Sequence, residues 1–382
     1  QLKKLNFFSA ATATPAAIEF SQRLLEKMPG MNKVYYSTSG SEANEKAYKI
    51  VRQIAHKKYK GKKNKILYRE RDYHGTTITC LSSSGQPQRR DQYGPFTPHF
   101  IQFPHCCQYR CQYDDLDQYG IKAANEMEKV ILKEGPENIG ATIIEPITAG
   151  GGVIPPPEHY LVTLEKICRK YEILLIVDEV VCGLGRTGAW FGYQHYGIQP
   201  DIVTLAKGVT SGYAAISCTV TTEAVFEQFM SQPDDVNSYF RDISTFAGCT
   251  SGPAAALENM RILEEEQLIN NAKLKGEYLI SGLCSLQQKH SVIGDIRGLG
   301  LLIGIELVKN QATKIPLPEM EVIKIANDCF SNGLIIGRTN RSFPEHNNTL
   351  CLAPALTITQ GEADKILSIL DKTLTAYTRS HT

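Results

Sequence analysis

No apolar run in the 382 residues reaches the roughly 18 needed to span a membrane, and no signal-peptide pattern opens the chain, so a membrane role is not expected. Charge of one sign is also missing. The 41 basic and 40 acidic residues are interspersed and leave a net charge of +1, which argues against a nucleic acid or an anionic lipid surface as partner. Paired CxxC spacing is absent: His105, Cys106, Cys107 and Cys111 cluster without it, and no metal is expected there. The eleven cysteines are scattered, several of them in apolar segments (Cys168, Cys218, Cys329), as in a reducing cytosol, so a cytoplasmic protein is expected. There is no internal repeat, low-complexity tract or long linker. There is also no Met before Gln1, and QLKKLNFF reads like the tail of a helix, from which missing N-terminal sequence is expected.

What the chain does have is a centre, from Leu174 to Gly208. Two apolar runs of strand length, Leu174 to Val177 and Ile202 to Ala206, each end on a charged group, Asp178 and Lys207. A lone carboxylate or amine where a buried strand meets its loop is costly unless something pairs with it. A ring with a basic nitrogen and a nearby aldehyde satisfies both, because the carboxylate keeps the nitrogen protonated while the amine condenses with the aldehyde. Pyridoxal phosphate is such a ring. The alternative is a buried salt bridge between neighbouring strands.

The length fits two domains, or one large α/β core with an appendage. Helical spacing covers Pro15 to Glu26, a short strand follows from Lys33 to Ser37, and a long helix then runs to about Tyr59. Between strand and helix lies the hydroxyl-rich turn Ser39-Gly40-Ser41. A helix N-terminus of this kind is an anion site suited to phosphate; an ordinary serine cap is the alternative. Strands are also read at Ile66 to Tyr68, Ile139 to Ile147 and Ala214 to Thr219, and helices at 117–133, 158–171 and 223–230. A polar stretch rich in Asp and Ser follows, then a long helical region from Glu258 to about Lys289. Alternating strands and helices imply a mostly parallel sheet with ligands at the strand C-terminal ends, where Asp178 and Lys207 both fall. Tyr73 follows a polar loop and could lie on a cofactor ring or simply pack. Thr245 precedes a glycine and could meet a phosphate or merely start a helix. After about residue 290 the pattern changes to the glycine-punctuated Ile293 to Val308, a helix at 319–331, strands Leu334 to Gly337 and Thr349 to Ala353, and a final helix from Gln360 to Tyr377. The expected division is a large domain over 1–289 and a small α+β domain over 290–382.

The motifs SGSEAN, DYHG, EPITAGGG, DEVVCGLGRTG, TLAKG, STFAG and DIRGLGLLIGIEL, in this order and spacing, resemble the class III aminotransferases, fold-type I enzymes that use pyridoxal phosphate. The likeness covers essentially the whole chain. It implies a mostly parallel seven-stranded sheet with helices on both faces, plus a small α+β C-terminal domain. Val181 stands where the ornithine and 4-aminobutyrate branches have Gln, and the apolar residue before Cys182 is similar to the omega-amine:pyruvate branch. IIGRTNRSFPEHNNTLCLAPAL, with QYRC and FRDISTFAG, looks most like the branch that moves the amino group of taurine to pyruvate.

The resemblance also implies roles. Lys207 would hold the cofactor covalently, and Asp178 would pair with its ring nitrogen. Val180 and Tyr73 would pack on the two ring faces, with His74 beside Tyr73 and Glu145 projecting towards the site. Ser39, Gly40 and Ser41 would bind the phosphate, joined by Thr245 from the neighbouring subunit of a homodimer, alone or within a tetramer. Arg338, or Arg341 three residues on, would receive the acceptor's carboxylate, and Phe7 and Phe8 would line the partner's substrate entrance. The implied products are sulfoacetaldehyde and alanine. β-Alanine, hypotaurine or a diamine are alternative donors, an aminomutase or a decarboxylating transaminase an alternative reaction, and a non-catalytic sensor of pyridoxal phosphate an alternative class.

Overall fold

The computed structural model describes residues 1–9, 12–111, 115–230 and 238–380. Part of the Asp- and Ser-rich stretch, 231–237, lies outside them. Seven strands form the larger sheet: β1 (Lys33–Ser37), β2 (Lys65–Arg69), β3 (Phe100–Phe103), β4 (Ile139–Ile144), β5 (Leu174–Asp178), β6 (Ile202–Leu205) and β7 (Ser217–Thr221). Their spatial order is β1-β7-β6-β5-β4-β2-β3. All neighbours from β6 to β3 pair in parallel, while β7 runs antiparallel to both β6 and β1.

Strand alternation divides the apolar side chains between two faces. Leu175 and Val177 of β5, with Val203 and Leu205 of β6, join the core built with the helices Pro15–Glu26, Tyr119–Glu134, Tyr160–Lys170 and Ser251–Glu265. Ile176 and Ile202 point the other way, to Ala47, Ile50, Val51 and Ile54 of the helix Gly40–Tyr59. Burial on both sides is why these strands read as unbroken apolar runs in the sequence. It also brings the C-terminal ends of β4, β5 and β6 to one edge, under the start of the helix Gly40–Tyr59.

Four strands form the second sheet: β8 (Ile293–Leu299), β9 (Leu302–Leu307), β10 (Gly337–Arg338) and β11 (Thr349–Leu352), in the order β10-β11-β9-β8 and antiparallel throughout. The glycine-punctuated run is thus a hairpin. Gly300 at its turn has φ +54°, and a Cβ there would stand 2.4 Å from the carbonyl carbon of Thr187. Helices Leu268–Lys289, Glu319–Ser331 and Gln360–Arg379 cover this sheet.

Three expectations change. The helical region up to Lys289 is broken at Gln267 (φ +53°): Ser251–Glu265 buries Ala256, Met260 and Leu263 in the first core, whereas Leu268–Lys289 sends Ala272, Leu279 and Leu283 into the second. The expected strand Ala214 to Thr219 is set later, at Ser217–Thr221, by its pairing with both β1 and β6. Leu334 to Gly337 contributes only the last residue to a strand, Gly337–Arg338, because pairing to β11 starts there. The segment QLKKLNFF opens on a single hydrogen-bonded turn, with the Lys4 and Leu5 N–H groups donating to the Gln1 carbonyl.

Candidate active site

At the strand edge a cleft of about 350 Å³ is lined by residues that include Gly40, Tyr73, His74, Glu145, Asp178, Val180 and Lys207. Asp178 ends β5, paired in register with Thr204 of β6, and Lys207 lies three residues beyond Thr204. The two are not joined. Among the described residues Lys207 forms no ion pair, so the buried salt bridge weighed from the sequence is not what holds either group. Lys207 is exposed to the cleft rather than desolvated as its apolar run suggests, and it has a φ of +28°, unusual for a lysine and of the kind found at functional positions.

Asp178 is nearly sealed, at 4% exposure. Its Oδ1 accepts the Val180 N–H at 3.0 Å, and its Oδ2 accepts Asn44 Nδ2 at 2.8 Å and His74 Nδ1 at 2.9 Å. Asn44 is itself fixed, donating to the His74 carbonyl at 2.7 Å and accepting the Thr204 hydroxyl at 2.7 Å. His74 donates through Nδ1, as a carboxylate requires, which leaves its Nε2 buried without a partner among the described residues.

The helix Gly40–Tyr59 starts on a capping box: Ser39 Oγ accepts the Glu42 N–H and Glu42 Oε2 accepts the Ser39 N–H, both at 3.2 Å. The Gly40 and Ser41 N–H groups have no acceptor among the described residues and lie at the positive end of a 20-residue helix. Ser41 Oγ accepts the Thr76 N–H at 3.0 Å. Gly75, just before Thr76, has φ +140°, and a Cβ there would come within 2.4 Å of that same oxygen.

Tyr73 is held from behind. Glu145 Oε1 accepts the Tyr73 N–H at 2.9 Å, and its Oε2 accepts the Ala149 N–H at 3.0 Å. Burial, then the nearby Asp72 and Asp178, push the Glu145 carboxyl well above the usual range. Beneath it Arg69, fully buried, grips Asp72 with two hydrogen bonds of 3.0 and 3.1 Å and donates to the Glu145 carbonyl at 2.6 Å. Burial opposes the Arg69 charge, but Asp72, Cys106 and Tyr160 outweigh it and hold the guanidinium cationic.

The remaining expected residues stand elsewhere. Arg338 is tied to Glu319 at 2.8 Å and Arg341 is exposed; neither lines the cleft. Thr245, Phe7 and Phe8 are exposed together, with Phe7 bridged to Cys249 and the Phe8 N–H donating to the Gly248 carbonyl at 3.1 Å. Asn44 escaped the sequence reading, although an asparagine on the apolar inner face of a helix, three residues after Ser41, is a visible signal. Arg69 and Asp72 gave no such signal.

The cleft suits pyridoxal phosphate. It carries a sealed carboxylate at one end and free N–H groups at the other, with a volume in the range of small-molecule sites. A side chain at Gly40 would meet Val180 at 3.1 Å and fill the space between.

Comparison with known proteins agrees. The sequence pattern of the class-III aminotransferases matches residues 1–374. The hypotaurine/taurine–pyruvate aminotransferase of Paracoccus denitrificans is 60% identical over 375 residues, 98% of this chain and 82% of that protein. The taurine–pyruvate aminotransferase of Rhodobacter capsulatus is 58% identical over 98% of this chain and 81% of its own length. A crystal structure of a Bacillus anthracis aminotransferase superposes with a TM-score of 0.95 at 37% identity, covering 98% of this chain and 83% of that one. The chain therefore belongs to the class-III aminotransferases, enzymes that depend on pyridoxal phosphate.

Proposed function

We propose that the chain moves the amino group of taurine to pyruvate, giving sulfoacetaldehyde and alanine. The observation that carries the reading is the meeting of Asp178 and Lys207, not paired with each other, in one cleft at the ends of adjacent parallel strands. The choice of taurine rests on relatives bearing that activity in their names at 58–60% identity.

Bound pyridoxal phosphate supplies an electron sink for negative charge at the donor's amine-bearing carbon. Lys207 would hold it through Nζ, and its amine, once free, would take a proton from the donor's amine-bearing carbon. Asp178, oriented by Asn44, His74 and the Val180 N–H, keeps a proton at the ring nitrogen. Val180 and Tyr73 enclose the ring and exclude water, and Glu145 fixes the Tyr73 backbone. Ser39, Gly40 and Ser41 take the phosphate, with Thr245 of the neighbouring subunit. Arg338, released from Glu319, or Arg341 receives the acceptor's carboxylate.

A homodimer follows from this use of Thr245. Its surroundings support one: Ile243 and Phe246 are 96% and 67% exposed beside Phe7 and Phe8, an apolar surface of the kind partners cover. Phe7 and Phe8 then line the entrance of the other subunit's cleft. Eleven free cysteines support a cytoplasmic location. Among the described residues no helix is long and apolar enough to cross a membrane.

The absorbance of the purified holoenzyme tests the reading. Taurine alone should abolish the long-wavelength cofactor band, and pyruvate should restore it. A band that ignores taurine but responds to β-alanine or a diamine would keep the reaction and discard the donor.

A further inference from the structure

Donor and acceptor present their anions at different reach. In pyruvate the carboxylate is bonded to the reacting carbon, whereas in taurine the sulfonate sits one carbon further out. A single fixed arginine cannot meet both with the same geometry.

The short helix Pro87–Arg90 supplies a second one. The Arg89 guanidinium lies 5.0 Å from the ring centre of Tyr73, a cleft-lining residue, so it stands one side chain away from the cleft. It is positioned from two sides: Nε donates to Gln86 Oε1 at 2.7 Å, and Nη2 donates to the Asn340 carbonyl at 3.3 Å. Gln86 is fully buried and anchored in turn by its donation to the Arg71 carbonyl at 2.8 Å. Among the described residues no carboxylate neutralises Arg89, and Nη1 has no acceptor. Arg338, by contrast, is already matched by Glu319 at 2.8 Å. An anchored fork with an unspent charge loses little freedom on meeting a tetrahedral anion.

We infer that Arg89 receives the sulfonate of the donor, while the acceptor's carboxylate is bound separately. The inference rests on the taurine reading above and adds the residue that selects the donor. Losing one charge-assisted hydrogen-bonding partner of this kind costs roughly 10- to 100-fold in affinity.

The test compares holoenzyme with Arg89→Gln, Arg89→Lys and Arg338→Gln, measuring the two half-reactions separately. Arg89→Gln should lower kcat/KM for taurine at least tenfold more than for propylamine, a neutral donor of similar length, and raise the KM for pyruvate far less than that for taurine. Arg89→Lys should recover part of the loss. Calorimetric binding of ethanesulfonate, which carries no amine, should weaken to the same extent. Equal losses for taurine, propylamine and pyruvate would reduce Arg89 to a support for Tyr73 and overturn the inference, as would unchanged ethanesulfonate binding in Arg89→Gln. A wild-type enzyme inert to taurine would sink the donor assignment alone, because ethanesulfonate binding that depends on Arg89 would still support the anion site.

Discussion

Asn44 and Asp178, 134 residues apart in sequence, meet at 2.8 Å between Nδ2 and Oδ2, with Asn44 also bridging to the His74 carbonyl and the Thr204 hydroxyl. One amide therefore ties the helix Gly40–Tyr59 to β5, which ends on Asp178, and to β6, which leads to Lys207. Asn44→Ala strands two buried polar groups, the His74 carbonyl and the Thr204 hydroxyl, and takes one of two donors from Asp178 Oδ2. Unsatisfied groups of this kind cost about 1 to 3 kcal/mol each when water cannot reach them. The expected outcome is a stability loss of about 2 to 4 kcal/mol and, since misplacing a reacting group costs up to about 100-fold, a 10- to 100-fold fall in kcat. Asn44→Asp should be worse than alanine, because it sets a second carboxylate against Asp178. Urea unfolding and steady-state rates check both, and an Asn44→Asp variant as active as wild type would remove Asn44 from the site.

Glu179, next to Asp178, provides a pH-dependent prediction. Its carboxyl is fully buried and accepts the Gly192 and Tyr193 N–H groups at 2.9 and 2.7 Å; burial raises its pKa from 4.5 to about 7. The folded state thus holds this proton more tightly than the unfolded chain does. The resulting stability is whole below pH 4.5 and is lost as pH rises through 7, about 3 kcal/mol in all at about 1.4 kcal/mol per pKa unit. Glu179→Gln removes the titration, so the stability advantage of wild type over this variant should be larger at pH 5 than at pH 8 by roughly 2 kcal/mol. Urea midpoints at the two pH values decide it; an advantage that grew with pH would contradict the burial argument.

What the sequence revealed follows the physics of each element. Strands β4, β5 and β6 are buried on both faces, so their apolar runs are unmistakable, and a charge closing such a run marks Asp178 and Lys207 directly. The edge strand Phe100–Phe103 is four residues long, mostly half-exposed and set between Pro98 and Pro104, and it carries no comparable signal. The break at Gln267 was hidden because the helical pattern continues on both sides of it, and only the destinations of the two apolar stripes differ. Asn44 and Arg89 owe their importance to contacts made across the fold, which no local pattern encodes.

The buried pair under the site should be intolerant of conservative change. Arg69 donates two hydrogen bonds to Asp72, whose Oδ1 also accepts the Thr148 hydroxyl and whose Oδ2 accepts the Glu145 N–H at 3.0 Å, so the pair supports the residue that fixes Tyr73. Arg69→Met leaves Asp72 charged and unpaired, at a cost of about 3 to 5 kcal/mol. Arg69→Lys should recover little, because a point charge cannot replace the planar fork. Thermal unfolding should show a Tm lowered by roughly 4 to 6 °C in both variants, with reduced activity at temperatures where they remain folded. A lysine variant as stable as wild type would mean that the charge alone suffices.

Lys207 makes the sharpest contrast between chemistry and stability. Its amine is exposed to the cleft and, among the described residues, forms neither an ion pair nor a hydrogen bond, so the fold does not depend on it. Lys207→Ala should unfold with nearly the wild-type Tm, as for substitutions that change stability by less than about 0.5 kcal/mol, yet lose turnover by at least about 1,000-fold, the scale of positioned proton transfer. Lys207→Arg separates the causes. The guanidinium keeps the positive charge but cannot give up a proton near neutral pH, so it should be as inactive as alanine if the lysine acts as nucleophile and base. Small primary amines can enter a cleft of about 350 Å³ and should restore part of the proton transfer in Lys207→Ala, in proportion to their concentration and basicity. Single-turnover rates with added methylamine and ethylamine measure this. An arginine variant retaining a tenth of the activity would show that Lys207 acts through its charge and not through its amine.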